Sequence, residues 1–459
     1  MYGPPPDPRQ LTLLYTLGDD GWRYAICLMF CLVFSGVAMI RRLPPELRLL
    51  SFIIGQVALL TAPFAATMTE AVYGSFPTID KSGSLLFYLD GVHQRVLLSP
   101  LDAVNDPAAR LIGAHVGHLW LTALFDLTLE PFAAFNAQAM FNLCLGWWAA
   151  ALWARALGAS WTAAALLGAP FGMGLHVFRD LNWYTIEKSA VGWLALYAWA
   201  TLNAARRGGA AWIAAASALF FVSAFMNWYW AMVEAAGIVA VTASFALRDP
   251  RGVTLRRLVL VGLGSIFAAS PLVLLQLALL QGPQTLGDPE RFLVERAALD
   301  SVSLWPPLWN RLELTRALSL PVILLAAWAA RARRAEPETW ALITLAAALL
   351  ALSLGPQILP GAPNPVYYAA RAVVPGFWRI AKPEVFFEGV YLALIGLAAI
   401  ACRGRDAPRW LYPIWAVAWL LIVRTHPVYP GFSAPIEQRL APDWAEHVMG
   451  PNEDPPKTP

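Results

Sequence analysis

Twelve apolar runs, each approaching the roughly 20 residues that a helix needs to cross a bilayer, fill most of this 459-residue chain. They fall at about 22–40, 49–68, 132–153, 160–178, 189–205, 210–226, 229–247, 257–280, 316–330, 338–357, 385–402 and 410–424. In hydrocarbon every backbone N–H and C=O must find a partner within the protein, which leaves helices or closed barrels. Runs of this length without period-two alternation select helices. The expected fold is all-α, a polytopic transmembrane bundle of about 12 spans. Composition agrees: 58% of residues are apolar and 14% charged, against about a quarter charged in a soluble domain. A net charge of +3 with scattered arginines excludes nucleic acid as a partner. Cys27, Cys31, Cys144 and Cys402 lie in or at the ends of apolar runs, which excludes a disulfide framework or a zinc knuckle.

Arginines in the short connections set the expected orientation, because cytoplasmic loops retain them. Arg41, Arg42 and Arg48 follow the first run, Arg155 the third, and Arg206 and Arg207 the fifth. Arg248, Arg251, Arg256 and Arg257 follow the seventh, Arg331, Arg333 and Arg334 the ninth, and Arg403, Arg405 and Arg409 the eleventh. Every odd span then ends inside, and both termini lie outside. A tail over 1–21 precedes a transmembrane domain over 22–424, and a tail over 425–459 follows it. Residues 1–20 lack a basic, apolar leader pattern, so no cleavable signal peptide is expected. The long polar segments 69–131, 281–315 and 358–384 fall outside, and all six histidines lie in or beside exterior segments. Chemistry is therefore expected at the outer face. Within the first segment, 111–130 reads as a helix lying on the interface. Leu111, Val116, Leu119, Trp120 and Leu127 form its apolar face and His115, His118, Thr122 and Asp126 its polar face.

Asp80 and Asp90 lead the candidates for a general base, since a carboxylate beside the membrane surface can take a proton from an attacking hydroxyl. Both also suit solvated turns. The next exterior turn crowds His176, Arg179, Asp180, Trp183, Tyr184, Glu187 and Lys188 together. It suits phosphate binding, or a divalent metal (Mg or Mn) shared between Asp180 and Asp80; it equally suits an interfacial belt. Glu234 stands inside the seventh run, where a carboxylate is a functional candidate by default, or else a hydrogen-bonded group near the interface. Charges over 288–302 read as a solvated helix. The fourth exterior segment brings Arg371, Arg379 and Lys382 ahead of a span, cations suited to a lipid-linked phosphate or to ordinary headgroups.

Three segments carry a resemblance: 135–160 with the span after it, 295–306, and Ser353-Leu-Gly-Pro356 with Pro375-Gly-Phe-Trp-Arg379-Ile-Ala-Lys382-Pro383. Together they resemble the GT-C type of polytopic membrane glycosyltransferase, in particular its bacterial members, over most of 49–402. The resemblance implies a location in the bacterial cytoplasmic (inner) membrane and a polyprenyl-phosphate-linked sugar as donor. It also implies an acceptor at the outer face and an acidic residue in the first large exterior loop. That role falls on Asp80, then Asp90, with Asp180 as a second acidic position and Glu187 behind it. The chain departs from the family in its extra first helix and in lacking a tandem acidic pair.

Two further readings follow from the residues. A non-catalytic protein that binds or transports a lipid-linked substrate would use Arg371, Arg379 and Lys382 as headgroup clamps. A structural subunit of an envelope complex would use the proline-rich segment 425–459 as its contact.

Overall fold

A computed structural model of the chain describes residues 21–61, 116–129, 131–174, 177, 186–280, 321–359, 362–374, 377 and 383–404. The described chain is almost wholly helical, as the apolar runs require. Helices α1 (Gly21–Ala38) and α2 (Pro45–Thr61) form an antiparallel pair. After α3 (Val116–Asp126) come α4 (Pro131–Ala156), α5 (Trp161–Gly172) and the short α6 (Ile186–Ser189). Four longer helices follow: α7 (Gly192–Arg207), α8 (Ala210–Met226), α9 (Trp228–Arg248) and α10 (Val253–Leu280). The described chain ends with α11 (Pro321–Ala332), α12 (Pro337–Ser353), α13 (Pro365–Val373) and α14 (Phe386–Ala401). A two-strand antiparallel ribbon, Gln357–Leu359 with Ala362–Pro363, separates α12 from α13.

A helix lies over each of the first eleven runs, and the run 210–226 coincides with α8. The twelfth run lies outside the described residues. By length and composition, Trp228–Arg248 and Val253–Leu274 are each able to cross a membrane. The run 160–178 is shorter as a helix than its apolar length predicts. α5 has 12 residues, which rise about 18 Å at 1.5 Å each, well short of a hydrocarbon core. Ser160 caps its start by accepting from Ala163 N–H, and Pro170 and Gly172 fall in its last turn, where the chain leaves helical geometry at Met173.

The core gathers around α4, which packs against α2, α5, α7 and α14. Small residues let its backbone approach neighbours closely. A Cβ on Gly168 would lie 2.7 Å from both the Ala151 nitrogen and the Trp147 oxygen, so α4 and α5 touch main chain to main chain there. Apolar side chains also cover the outside: Leu32, Val239, Ile266, Phe267, Leu274 and Leu324 are all exposed, Phe267 by 82%. Among the described residues this apolar outward face spreads over several helices, the kind of surface that meets a membrane or another apolar partner.

The short connections meet at one end of the bundle. Arg403 reaches the Leu157 carbonyl (3.0 Å), Arg257 the Ala205 and Arg206 carbonyls (3.1 and 2.9 Å), and Arg206 the Ala156 carbonyl. Trp148 reaches the carbonyl of Glu46, at the start of α2. Arginines after the first, third, fifth, seventh, ninth and eleventh runs thus sit on one side. Followed from there, α2, α10 and α12 run toward the opposite end, and α3, α4, α13 and α14 start from it. Thr61, Val116, Leu280 and Pro321, the described residues that flank the first two long polar segments, therefore stand at the end away from the arginines.

α3 is the clearest departure from expectation. An interfacial helix turns its polar face to water. Here His118 and Thr122 are fully buried, whereas Trp120, Leu124 and Leu127 are exposed. Gln138 on α4 is the reason: its Nε2 lies 2.9 Å from His118 Nδ1 and its Oε1 accepts from the Thr122 hydroxyl. The polar stripe is used inside, between helices, and the apolar stripe faces out. Asp126 and Leu119 contribute to neither statement, since their side chains lie outside the described residues.

Candidate functional site

The described helices line an open-sided cavity of about 480 Å3 between α7, α9 and α12, with α4 and α14 behind it. A mostly apolar pocket with a few convergent polar groups is the default place to look for binding. Its walls are Leu194, Ala198 and Leu202 on α7, Ile238 and Val241 on α9, and Leu342 and Leu345 on α12. Trp153 of α4 closes the back and donates to the Leu392 carbonyl of α14 at 3.2 Å, which fixes those two helices relative to each other.

One end of the cavity holds Glu234. Asn227 sets its position: the residue ends α8, with its N–H on the Ser223 carbonyl at 2.7 Å, and caps α9 by accepting from Tyr229 N–H at 2.9 Å. The reversal brings Ser223, one turn before the end of α8, against Glu234 in the second turn of α9. Ser223 Oγ donates to Glu234 Oε1 at 2.6 Å. Glu234 is 2% exposed, and its Oε2 has no hydrogen-bond partner among the described residues. Across the space, Tyr197 and Thr201 stand four residues apart on α7, which puts two hydroxyl-bearing side chains on one wall.

The other end is a rim of ion pairs. Arg403 places Nη1 on Glu336 Oε2 (2.8 Å) and Nη2 on Glu338 Oε2 (2.7 Å). Arg206 meets Glu338 Oε1 at 2.6 Å, and Arg333 meets Glu336 Oε1 at 2.9 Å. Each carboxylate therefore answers two guanidinium groups. Gly158 makes the arrangement possible: it adopts φ +109, and a Cβ there would lie 2.8 Å from Arg403 Cγ. Only a residue without a side chain both turns the chain and leaves the Arg403 stem its place.

Of the site residues expected from the sequence, Arg371 is described. It lies half-buried in the last turn of α13, a helix that Asn364 starts by accepting from Val366 and Tyr367 N–H and anchors to α12 through the Ala351 and Gly355 carbonyls. Asp80, Asp90, His176, Arg179, Asp180, Arg379 and Lys382 lie outside the described residues, as does the Asp80–Asp180 metal arrangement. Among the described residues there is no group of three His, Cys, Asp or Glu side chains placed to hold a metal ion. The motif that carries the family resemblance has a packing role at Phe377, whose ring lies between those of Tyr367 (5.2 Å) and Phe386 (5.6 Å).

Sequence reasoning found Glu234 because a lone acid interrupts an apolar run. It missed Tyr197 and Thr201, whose only signal is a four-residue step, and it read the rim arginines as orientation markers without pairing them with Glu336 and Glu338. No protein-family model, curated protein or solved structure matches the chain.

Proposed function

We propose that the chain is an integral-membrane glycosyltransferase-like protein that takes a sugar from a polyprenyl phosphate and passes it to an acceptor at the outer face of the bacterial inner membrane. In this reading the helices form a multi-pass bundle with the arginine end inside. The supporting observation is the separation of the two ends: short basic connections gather at one, and the described residues that flank the long polar segments stand at the other, with Arg371 in the last turn of α13. Asp80 or Asp90 takes the acceptor proton as its oxygen attacks the sugar. Arg371, Arg379 and Lys382 stabilise the polyprenyl phosphate as it leaves, and His176 and Arg179 hold the donor from the adjoining turn. Asp180, with Asp80, offers carboxylates for a divalent metal.

The experiment is transfer from a radiolabelled polyprenyl-phosphate sugar in membranes containing Asp80→Asn, Asp90→Asn or Arg371→Ala. Loss of at least about a hundredfold in one of the aspartate variants, at unchanged protein level, is the expected outcome. Full transfer in both aspartate variants would defeat the catalytic assignment.

The open-sided apolar cavity favours a second reading, a protein that binds or moves a lipid-linked substrate without chemistry. Under it, amide replacement of the exterior carboxylates leaves function intact, and loss of the three cations does not.

A further inference from the structure

We infer that the cavity between α7, α9 and α12 binds a lipophilic amine, with the ammonium group on Glu234 Oε2 and the hydrocarbon along α9. Three features converge on that ligand class. Between Glu234 and the charged rim the wall is mostly apolar, so the occupant is mostly hydrocarbon. A carboxylate stands at its inner end with one oxygen held by Ser223 and the other without a partner among the described residues. An ionised carboxylate at this depth is costly unless a positive charge meets it, and among the described residues no Lys, Arg or His lines that end of the cavity. The arginines that do line it are at the rim, each already on Glu336 or Glu338. A ligand cation supplies what the described lining lacks.

Shape sets the size of the ligand. From Glu234 to Phe245, both on the cavity wall, α9 rises about 16 Å at 1.5 Å per residue, room for a medium-length alkyl chain. Tyr197 and Thr201 face the same space and give the amine's remaining N–H groups oxygen acceptors. An anionic amphiphile of the same length would bring like charge against Glu234. The site reaches the arginine end of the bundle and uses none of the residues of the transfer reading, so either can fail while the other stands.

The test uses the full chain in nanodiscs and three probes of equal length: dodecylamine, dodecanol and dodecanoate, each titrated against thermal unfolding. Wild-type protein is expected to bind dodecylamine about tenfold or more tightly than dodecanol, the ratio a close charge pair sustains, with no shift from dodecanoate. Glu234→Gln is expected to bring amine and alcohol together. Gly237→Leu, which fills the cavity from the α9 side and leaves the carboxylate in place, is expected to weaken both, and it decides the matter if the Gln variant does not fold. Equal affinity for amine and alcohol in the wild type overturns the inference, as does undiminished amine binding in Gly237→Leu.

Discussion

The seam between α4 and α5 and the space between α7, α9 and α12 are built from the same apolar alphabet, with opposite results. In the seam, Gly168 and Gly172 stand four residues apart and let two backbones touch, and Ala150 and Ala151 beside them are fully buried. In the other region Leu345, Ile238 and Val241 hold their helices apart around about 480 Å3 of space. In the membrane reading proposed above, helices gain little from burying hydrocarbon against each other. Close packing, rather than apolarity, is what binds them. The seam therefore carries stability, and the open region is free to accept a ligand.

Substitutions that reverse the two conditions probe this contrast. Gly168→Val drives a branched side chain into the Ala151 and Trp147 main chain, and a loss of about 3 kcal/mol is expected in reversible unfolding by denaturing detergent. A wild-type unfolding curve would mean that the two helices separate at no cost. Arg403→Ala, at the rim, removes partners from Glu336, Glu338 and the Leu157 carbonyl at once. Because these groups are partly exposed, about 2 kcal/mol is expected, shrinking at high salt. Salt-independence would assign the effect to the lost Arg403 stem packing over Gly158. Smallest of all is Leu345→Phe, which adds volume where space exists. A change within about 1 kcal/mol by the same assay is expected, against the larger cost of overpacking a filled core; a cost equal to that of Gly168→Val would show that the space is not there.

What could be read from the sequence follows the physics of each feature. Helix positions were legible because hydrocarbon leaves the backbone no alternative, and α8 matches its run to the residue. α5 was not: its apolar run continues past Gly172, and nothing in hydropathy says that Pro170 and Gly172 end the helix early. The two stripes of α3 were legible, but their direction was not. The rule that polar faces meet water assumes water outside, whereas Gln138 supplies His118 and Thr122 with an inner partner. Glu234 announced itself as a charge in the wrong place. The rim did not, because an arginine's count in a loop carries no information about which carboxylate it finds.

The inward-facing polar edge of α3 also bears on the excursion that precedes it. α2 ends at Thr61 and α3 begins at Val116, where the next residue, Gly117, lies so near α8 that a Cβ would sit 2.8 Å from the Phe225 oxygen and 2.9 Å from Met226 Cα. Thr61 and Val116, the described residues on either side of this interval, therefore stand at the same end of the bundle, away from the arginines.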